Sequence, residues 1–273
     1  IMSDNISIKP DAAKHDRQPI TVVKVGGAVV EDETQLTQLL SDFSAIGGRK
    51  VLVHGGGRRA TQVASRLGIE SRMVGGRRIT DRDMLEVVTM VYGGLVNKNI
   101  VARLQAAGVC ALGLTGADMD VIRSHRRPLK DGVDFGFVGD VDAADGAALA
   151  RLIEAGVTPV MAPLTHDGRG NMLNTNADTI AGETAKALAT YYDVTLIYSF
   201  EKPGVMADPD DDSTLIPEIT HESFLRLRSE GVVNGGMLPK IENALAAIDA
   251  GVSRVIITKA TAIDGRHGTV IVR

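Results

Sequence analysis

TVVKVGG (Thr21–Gly27) and VLVHGGG (Val51–Gly57) each join a short apolar strand to a glycine-rich turn. Glycine lets the backbone turn sharply and leaves amide N–H groups uncovered. A helix that starts just after such a turn adds the positive end of its dipole, and Lys24 adds a full positive charge. Each turn alone is equally well explained as a tight β-to-α connection. Two such turns at neighbouring strand ends, together with Lys24, predict a cradle for phosphate oxygens.

Apolar, β-branched runs alternate with helix-like stretches along most of the chain. Short apolar strands separated by helices are typical of a mostly parallel, buried sheet, so the predicted fold class is α/β. Ligands of such open sheets lie at the carboxyl ends of the strands, where both glycine turns are. We also expect Thr80 to cap a helical stretch over 81–107 that is interrupted near Gly93-Gly94, and β-hairpins over 122–141.

The composition is that of an ordinary globular protein with a sizeable core. The 273 residues include 44% hydrophobic and 23% charged residues, and the net charge of −4 gives no reason to expect nucleic-acid binding. No apolar run approaches the roughly 20 residues of a membrane span. Residues 1–19 form a polar arm that we expect to be flexible, and Cys110 is the only cysteine. These features predict a cytoplasmic protein without nucleic-acid or membrane partners.

The segment Gly55–Ala60 (GGGRRA) also matches the dinucleotide pattern G-x-G-x-x-G/A, which leaves an NAD-dependent oxidoreductase open as an alternative. Three observations weaken that interpretation. The turn follows the second strand, no acidic residue ends a strand about 20 residues later, and the first strand has a glycine turn of its own. The P-loop pattern G-x-x-x-x-G-K-[ST] does not occur in the sequence.

Three further segments contain candidate site residues. Arg77-Arg78 precedes a helix and can hold a carboxylate with a guanidinium fork, although paired loop arginines are usually solvated. The segment Asn174–Asp178 (NTNAD) precedes another helix, where Asp178 is either the helix cap, its more common role, or a buried carboxylate that orients lysines. Lys240 falls in the first turn of a helix, where the dipole disfavours a cation, so its charge is a candidate for a functional role.

Two charged segments are left outside the predicted site. Asp208–Asp212 (DPDDD) is interpreted as a solvated turn rather than a metal site. Arg123–Arg127 (RSHRR) is interpreted as an exposed hairpin, because no aromatic residues are interleaved as in nucleic-acid patches. The six histidines show no metal-ligand spacing, so no protein-held metal is predicted.

In chain order, these motifs resemble those of the N-acetylglutamate kinases, a branch of the amino acid kinase family. The resemblance runs from about Thr21 to Val272. The glycine turns are shared with carbamate kinase, aspartokinase and uridylate kinase relatives, whereas the later elements are more specific to the acetylglutamate branch. The motifs that support the resemblance are KVGG (24–27), HGGG (54–57), Arg78-Ile79-Thr80, NTNAD (174–178) and GMLPK (236–240).

The resemblance implies an open αβα sandwich with a mainly parallel, eight-stranded central sheet like that of carbamate kinase. It implies a single domain over residues 20–273, whose N-terminal half (about 20–165) binds the acyl amino acid and whose C-terminal half (about 166–273) binds ATP with Mg²⁺. The implied reaction is ATP-dependent phosphorylation of the side-chain carboxylate of N-acetyl-L-glutamate, in arginine biosynthesis.

By motif position, the resemblance also implies roles for single residues. Lys24 and Lys240 would stabilise the transferring phosphoryl group, and Asp178 would organise the lysines. Phosphate contacts would fall on Gly26 and Gly27. The residues implied to bind the acyl amino acid are Gly56, Gly57, Arg78, Asn174 and Asn176.

The chain departs from the family pattern at Ser199–Gly204 (SFEKPG), where relatives usually have Ser-Asp followed closely by glycine. The nucleotide contacts at this segment are therefore left open. The acceptor is open too: acetylglutamate is the default, and succinylglutamate, carbamate or another acidic amino acid is the alternative. Because the arm lacks the apolar helix pattern of the arginine-inhibited hexamers, we expect an arginine-insensitive enzyme. The fold that the resemblance implies usually dimerises through its N-terminal half, so we also expect a homodimer.

Overall fold

The computed structural model describes residues 17–129, 131–208, 210–234 and 237–273, with Pro239 described by its backbone alone. The predicted arm thus lies outside the described residues as far as residue 16, as does Gly236 of the GMLPK motif, and β1 already begins at Pro19. The strands are β1 (Pro19–Val25), β2 (Arg49–His54), β3 (Met73–Val74), β4 (Arg77–Arg78), β5 (Ala111–Leu114), β6 (Ile122–Arg126), β7 (Gly139–Ala144), β8 (Thr158–Met161), β9 (Leu164–His166), β10 (Met172–Asn174), β11 (Asp193–Phe200), β12 (Glu218–Ile219), β13 (Arg254–Lys259) and β14 (Thr269–Ile271). The helices are α1 (Gly27–Glu31), α2 (Glu33–Ala45), α3 (Gly57–Arg66), α4 (Arg82–Val88), α5 (Asn97–Ala106), α6 (Gly146–Glu154), α7 (Ala177–Leu188), α8 (His221–Ser229) and α9 (Leu238–Asp249). Over the described part of the chain, no helix has the length and apolar character needed to cross a membrane.

An eight-stranded sheet runs through the molecule in the order β12-β14-β13-β11-β1-β2-β8-β5. Within the described strands of this sheet, β13 and β14 pair antiparallel and the other neighbours pair parallel. The predicted mainly parallel, eight-stranded sheet is therefore confirmed. A second sheet has the order β10-β9-β6-β7, in which β6 and β7 form the antiparallel pair expected over 122–141.

Helices cover both faces of the large sheet. Successive side chains of a strand point to opposite faces, and since both sets are apolar here, both faces must be buried. In β1, Val22 joins a core cluster with side chains of α6–α9, whereas Val23 joins a second cluster with side chains of α1–α5. The sheet is thus the middle layer of an αβα sandwich, as predicted. The carboxyl ends of the strands, where both glycine turns lie, form the edge of the sheet at which ligands of such folds bind.

The helical stretch over 81–107 differs from its prediction in two details. Asp81, not Thr80, caps α4, because the Asp81 carboxylate accepts a hydrogen bond of 2.9 Å from the backbone N–H of Met84. The α-helical geometry is interrupted around Gly93-Gly94 as predicted, but the interruption is a π-helical segment, Thr89–Val96, that keeps the stretch helical and leads directly into α5. π-Helical segments occur frequently at functional sites.

His54, the last residue of β2, is fully buried and neutral. Its Nδ1 lies 2.7 Å from the carbonyl oxygen of Gly55, and a carbonyl only accepts, so Nδ1 is the protonated nitrogen. Its Nε2 accepts a hydrogen bond of 3.1 Å from the Asn97 side-chain amide, which also donates to the Val160 carbonyl. Burial lowers the pKa of His54 from 6.5 to about 4, and nearby Lys98 adds to this effect.

The free energy of unfolding is expected to fall as the pH drops from about 6.5 to about 4. In this window the unfolded chain protonates His54 and the folded chain does not. The difference in pKa corresponds to about 3 kcal/mol. Urea unfolding at a series of pH values measures the slope. A His54→Gln variant, which keeps polar atoms but cannot titrate, should be less stable near pH 7 and have a flatter slope, and equal slopes would contradict the assignment.

Candidate active site

Two cavities open at the carboxyl ends of the central strands, where ligands of open α/β sheets bind. The larger, about 710 Å³, is lined by residues of β4, α3 and the start of α7. The smaller, about 360 Å³, is lined by the end of β11 and the start of α9. Gly27, Ala28 and Lys240 line both cavities. A group that passes from one cavity to the other therefore meets the first glycine turn and Lys240.

The two glycine turns pack against each other where the cavities meet. A Cβ atom on Gly55 would lie 3.0 Å from the backbone nitrogen of Gly27, and one on Gly56 would lie 3.1 Å from the Tyr92 ring. A side chain at either position would therefore displace backbone or a buried ring. Helices α1 and α3 start at Gly27 and Gly57, immediately after the turns. The sequence prediction of two adjacent turns, each followed by a helix, is confirmed.

Lys24 and Asp178 form an ion pair in the lining of the larger cavity. Lys24 Nζ lies 2.7 Å from Asp178 Oδ1, and the two side chains are 9% and 26% exposed. Of the two roles left open for Asp178, the helix cap is wrong and the pairing with a lysine is observed. The Asn176 side-chain oxygen is the cap, because it accepts from the backbone N–H groups of Asp178 (2.7 Å) and Thr179 (3.4 Å). Asn176 thus leaves the carboxylate of Asp178 available for the lysine.

Lys240 lines the same cavity as Lys24 and Asp178, and it lies in the first turn of α9 as predicted. Burial lowers the pKa of Lys240, and the positive charge of Lys24 lowers it further, whereas Asp178 and Glu201 act in the opposite direction. The structure therefore brings together two lysines and one carboxylate from distant parts of the chain. Their combined charge is positive, as a site for phosphoryl groups requires.

Arg78 is a buried cation in the wall of the larger cavity. It is 8% exposed, whereas its neighbour Arg77 is exposed, so the two arginines do not act as an equivalent pair. Its guanidinium donates from Nη2 to the Gly57 carbonyl oxygen (2.8 Å) and to Thr61 Oγ1 (3.0 Å), and from Nη1 to Ser71 Oγ. Within the described residues no carboxylate lies within 4.0 Å of Arg78. A buried cation paired only with neutral groups favours an anionic ligand.

Asn174 and Thr80 link the arginine segment to the NTNAD segment. Asn174 Nδ2 donates a hydrogen bond of 2.9 Å to Thr80 Oγ1, and both residues are buried. Both Asn174 and Asn176 line the larger cavity together with Arg78, Gly56 and Gly57. Gly26 lines the smaller cavity, and Gly27 lines both. The structure therefore brings every predicted site residue to one of the two adjoining cavities.

The cavities also contain residues that were not predicted from the sequence, among them Tyr92, Phe200 and Arg127. Tyr92 projects from the π-helical segment against Gly56, Phe200 ends β11 in the smaller cavity, and Arg127 lines the larger cavity while paired with Asp140 at 2.5 Å. Tyr92 belongs to an apolar helical stretch, and Arg127 to a segment interpreted as an exposed hairpin. The departure from the family pattern at Ser199–Gly204 was the one sequence signal that pointed to Phe200.

The family model described as "Amino acid kinase family" matches residues 19–259 of this chain. Two relatives named acetylglutamate kinase are from Phocaeicola vulgatus and Bacteroides thetaiotaomicron. The first is 65% identical over 255 residues, which are 93% of this chain and 99% of the relative. The second is 66% identical over 253 residues, 93% of this chain and 98% of the relative.

Two solved structures share the fold. N-acetylglutamate synthase from Neisseria gonorrhoeae, in complex with coenzyme A and N-acetyl-glutamate, superposes with a TM-score of 0.78 at 25% identity, over 93% of this chain and 59% of that one. Carbamate kinase from Giardia lamblia, bound to AMP-PNP, gives a TM-score of 0.65 at 15% identity, over 94% of this chain and 99% of that one. The likeness to carbamate kinase confirms the predicted fold.

Proposed function

Since this chain belongs to the amino acid kinase family, we propose that it transfers the γ-phosphoryl group of ATP to the side-chain carboxylate of N-acetyl-L-glutamate. The product is N-acetylglutamyl 5-phosphate. The relatives named acetylglutamate kinase, about two-thirds identical over almost the whole chain, support this activity. The observation in the structure that supports it best is the buried Arg78, a cation without an acidic partner among the described residues, in the same cavity as Lys24 and Lys240.

The nucleophile needs no general base. A glutamate carboxylate has an unperturbed pKa of about 4.3 and is ionised near neutral pH. The difficulty is electrostatic, because an anion must approach an anionic phosphoryl group. Catalysis then consists of positioning and of positive charge around the transferred group. The site is suited to this task, since it presents Lys24, Lys240 and two glycine turns at the junction of its cavities.

Each cavity is assigned one substrate. The acyl amino acid would occupy the larger cavity, with its α-carboxylate at Arg78 and with Asn174 and Asn176 beside it. ATP would occupy the smaller one, with its phosphates at Gly26 and Gly27. In this assignment residues of about 20–165 bind mainly the amino acid and those of about 166–273 mainly the nucleotide. The NTNAD segment of the second half contributes to the amino-acid cavity as well.

Asp178 is assigned the task of holding Lys24 in place. The 2.7 Å ion pair between Lys24 Nζ and Asp178 Oδ1 fixes the position of the ammonium group. In this role Asp178 acts through Lys24 and does not contact the substrate. The described residues offer no group of three or more His, Cys, Asp or Glu side chains that could hold a metal ion. Mg²⁺ would therefore be held chiefly by the phosphate oxygens of ATP, as is usual for this ion, and would supply further positive charge there.

A coupled ADP-release assay with Mg²⁺ and ATP tests the activity directly. We expect turnover with N-acetylglutamate, the acceptor for which the relatives are named, and little with N-succinylglutamate, free glutamate, aspartate or carbamate. A folded protein that binds ATP but uses none of these acceptors would contradict the proposed reaction. Binding of NADH, measured by fluorescence, would instead support the oxidoreductase alternative, which family membership does not favour.

We also propose that the enzyme acts as a homodimer, in the cytoplasm, in arginine biosynthesis. Exposed apolar side chains of the N-terminal half, Met90 (55%), Leu95 (41%) and Leu112 (40%), support a subunit contact there. Light scattering is expected to give twice the mass of one chain. A Leu112→Glu variant, changed on the edge strand β5, should shift the equilibrium towards the monomer. A monomer or hexamer in the unaltered protein would contradict the proposal.

A further inference from the structure

Phe200 ends β11 beside the first glycine turn, and its ring lies close to both lysines of the site. It is the last residue of β11, is partly buried and lines the smaller cavity. Its ring is stacked on that of Tyr198, with centroids 6.2 Å apart and an angle of 27° between the planes. Tyr198, a residue of the same strand, therefore packs against the Phe200 ring and restricts its position.

Both lysine ammonium groups lie close to this one ring. Lys240 Nζ is 3.8 Å from the centroid of the Phe200 ring, and Lys24 Nζ is 5.5 Å from it. Lys24 also has Asp178 as a partner at 2.7 Å. In the described part of the chain, Lys240 has no carboxylate within 4.0 Å, so the ring is the partner closest to its charge.

We propose that Phe200 is a positioning residue, whose ring holds the ammonium groups of Lys240 and Lys24 side by side where the two cavities meet. The inference rests on the proposed phosphoryl transfer. The negative face of an aromatic ring attracts a cation without carrying a net charge. The ring thus gathers the two cations and preserves the positive charge of the site.

A series of fluorinated phenylalanines at position 200 tests the proposal with almost no change in shape. Each added fluorine weakens the negative face of the ring, so log kcat should fall steadily along the series. Phe200→Leu, which keeps an apolar side chain without a π system, should lower kcat by about tenfold. Phe200→Tyr, with an equally suitable ring, should restore it. The KM for ATP should change less than kcat, and a change confined to that KM would overturn the proposal.

NMR of the lysine ε-methylene groups gives a readout that needs no activity. In the unliganded protein the Lys240 signal, assigned with Lys240→Arg, should be shifted upfield by the ring, and Phe200→Leu should abolish the shift. The Lys240 pKa, already lowered by burial and by Lys24 against the influence of Asp178 and Glu201, should fall further in Phe200→Leu. An unshifted signal, or equal kcat along the fluorinated series, overturns the inference. A shifted signal in a protein that phosphorylates no acceptor supports the positioning role and overturns the proposed function instead.

Discussion

Lys240→Ala and Lys24→Ala are each expected to lower kcat by about 10² to 10³ with the fold intact, the usual cost of removing one donor that stabilises transition-state charge. Negative charge gathers between an anionic carboxylate and an anionic phosphoryl group, and these two ammonium groups are placed where the cavities meet. Steady-state kinetics with saturating ATP and N-acetylglutamate measure the loss. Near-normal kcat in either variant would remove that lysine from the proposed mechanism.

The two variants should lose kcat to a similar extent but should differ in melting temperature. Lys24→Ala leaves the Asp178 carboxylate, whose side chain is 26% exposed, without its partner, so the melting temperature should fall. Lys240→Ala removes a cation whose pKa is lowered by burial, and its melting temperature should change little. Lys186→Ala, on the same helix as Asp178 but paired with Glu183 outside both cavities, is the matched control and should keep normal kcat.

Arg78→Met is expected to raise the KM for N-acetylglutamate by about 100-fold or more, while the KM for ATP stays close to normal. Loss of one partner from a buried, hydrogen-bonded charge pair typically costs about 2–5 kcal/mol of binding. Methionine keeps most of the side-chain volume, so the cavity wall is not collapsed. Initial-rate kinetics with each substrate varied in turn separate the two KM values.

The stability of Arg78→Met distinguishes a binding arginine from a structural one. In the free protein the Arg78 cation is 8% exposed and bonded to neutral oxygens, an arrangement that costs stability. Replacing a buried charge with an apolar side chain of similar size is often neutral or stabilising. We therefore expect an unchanged or higher melting temperature together with the loss of binding. A lower melting temperature with an unchanged KM would make Arg78 a structural residue. Arg77→Met, changed at the exposed neighbour, is the control and should have a smaller effect on KM.

The layered fold was predictable because its signals are local. The apolar runs of β1 and β2, each closed by glycines, indicate buried parallel strands that end in turns. The alternation of such runs with helices implies an α/β fold with a mostly parallel, buried sheet before any contact is known. Helix caps were less predictable, since Asp81 and Asn176 each compete with a neighbour that can form the same hydrogen bond. The residue that caps the helix is the one whose side chain reaches the free backbone N–H groups, and this depends on how the helix packs in the fold.

The fold class, the two glycine turns and the two candidate lysines could be identified from the sequence, because strand period, turn chemistry and motif spacing are properties of neighbouring residues. Which charges come into contact depends on the three-dimensional fold. The residues alone left Asp178 as either a helix cap or a partner of the lysines, and the structure shows that Asn176 is the cap and that Asp178 pairs with Lys24. Arg78 is buried whereas Arg77 is exposed. Phe200 lies beside Lys240 because the end of β11 and the start of α9 meet at one edge of the sheet, next to β1. Burial and ion pairing depend on atoms contributed by distant segments, and no local pattern contains that information.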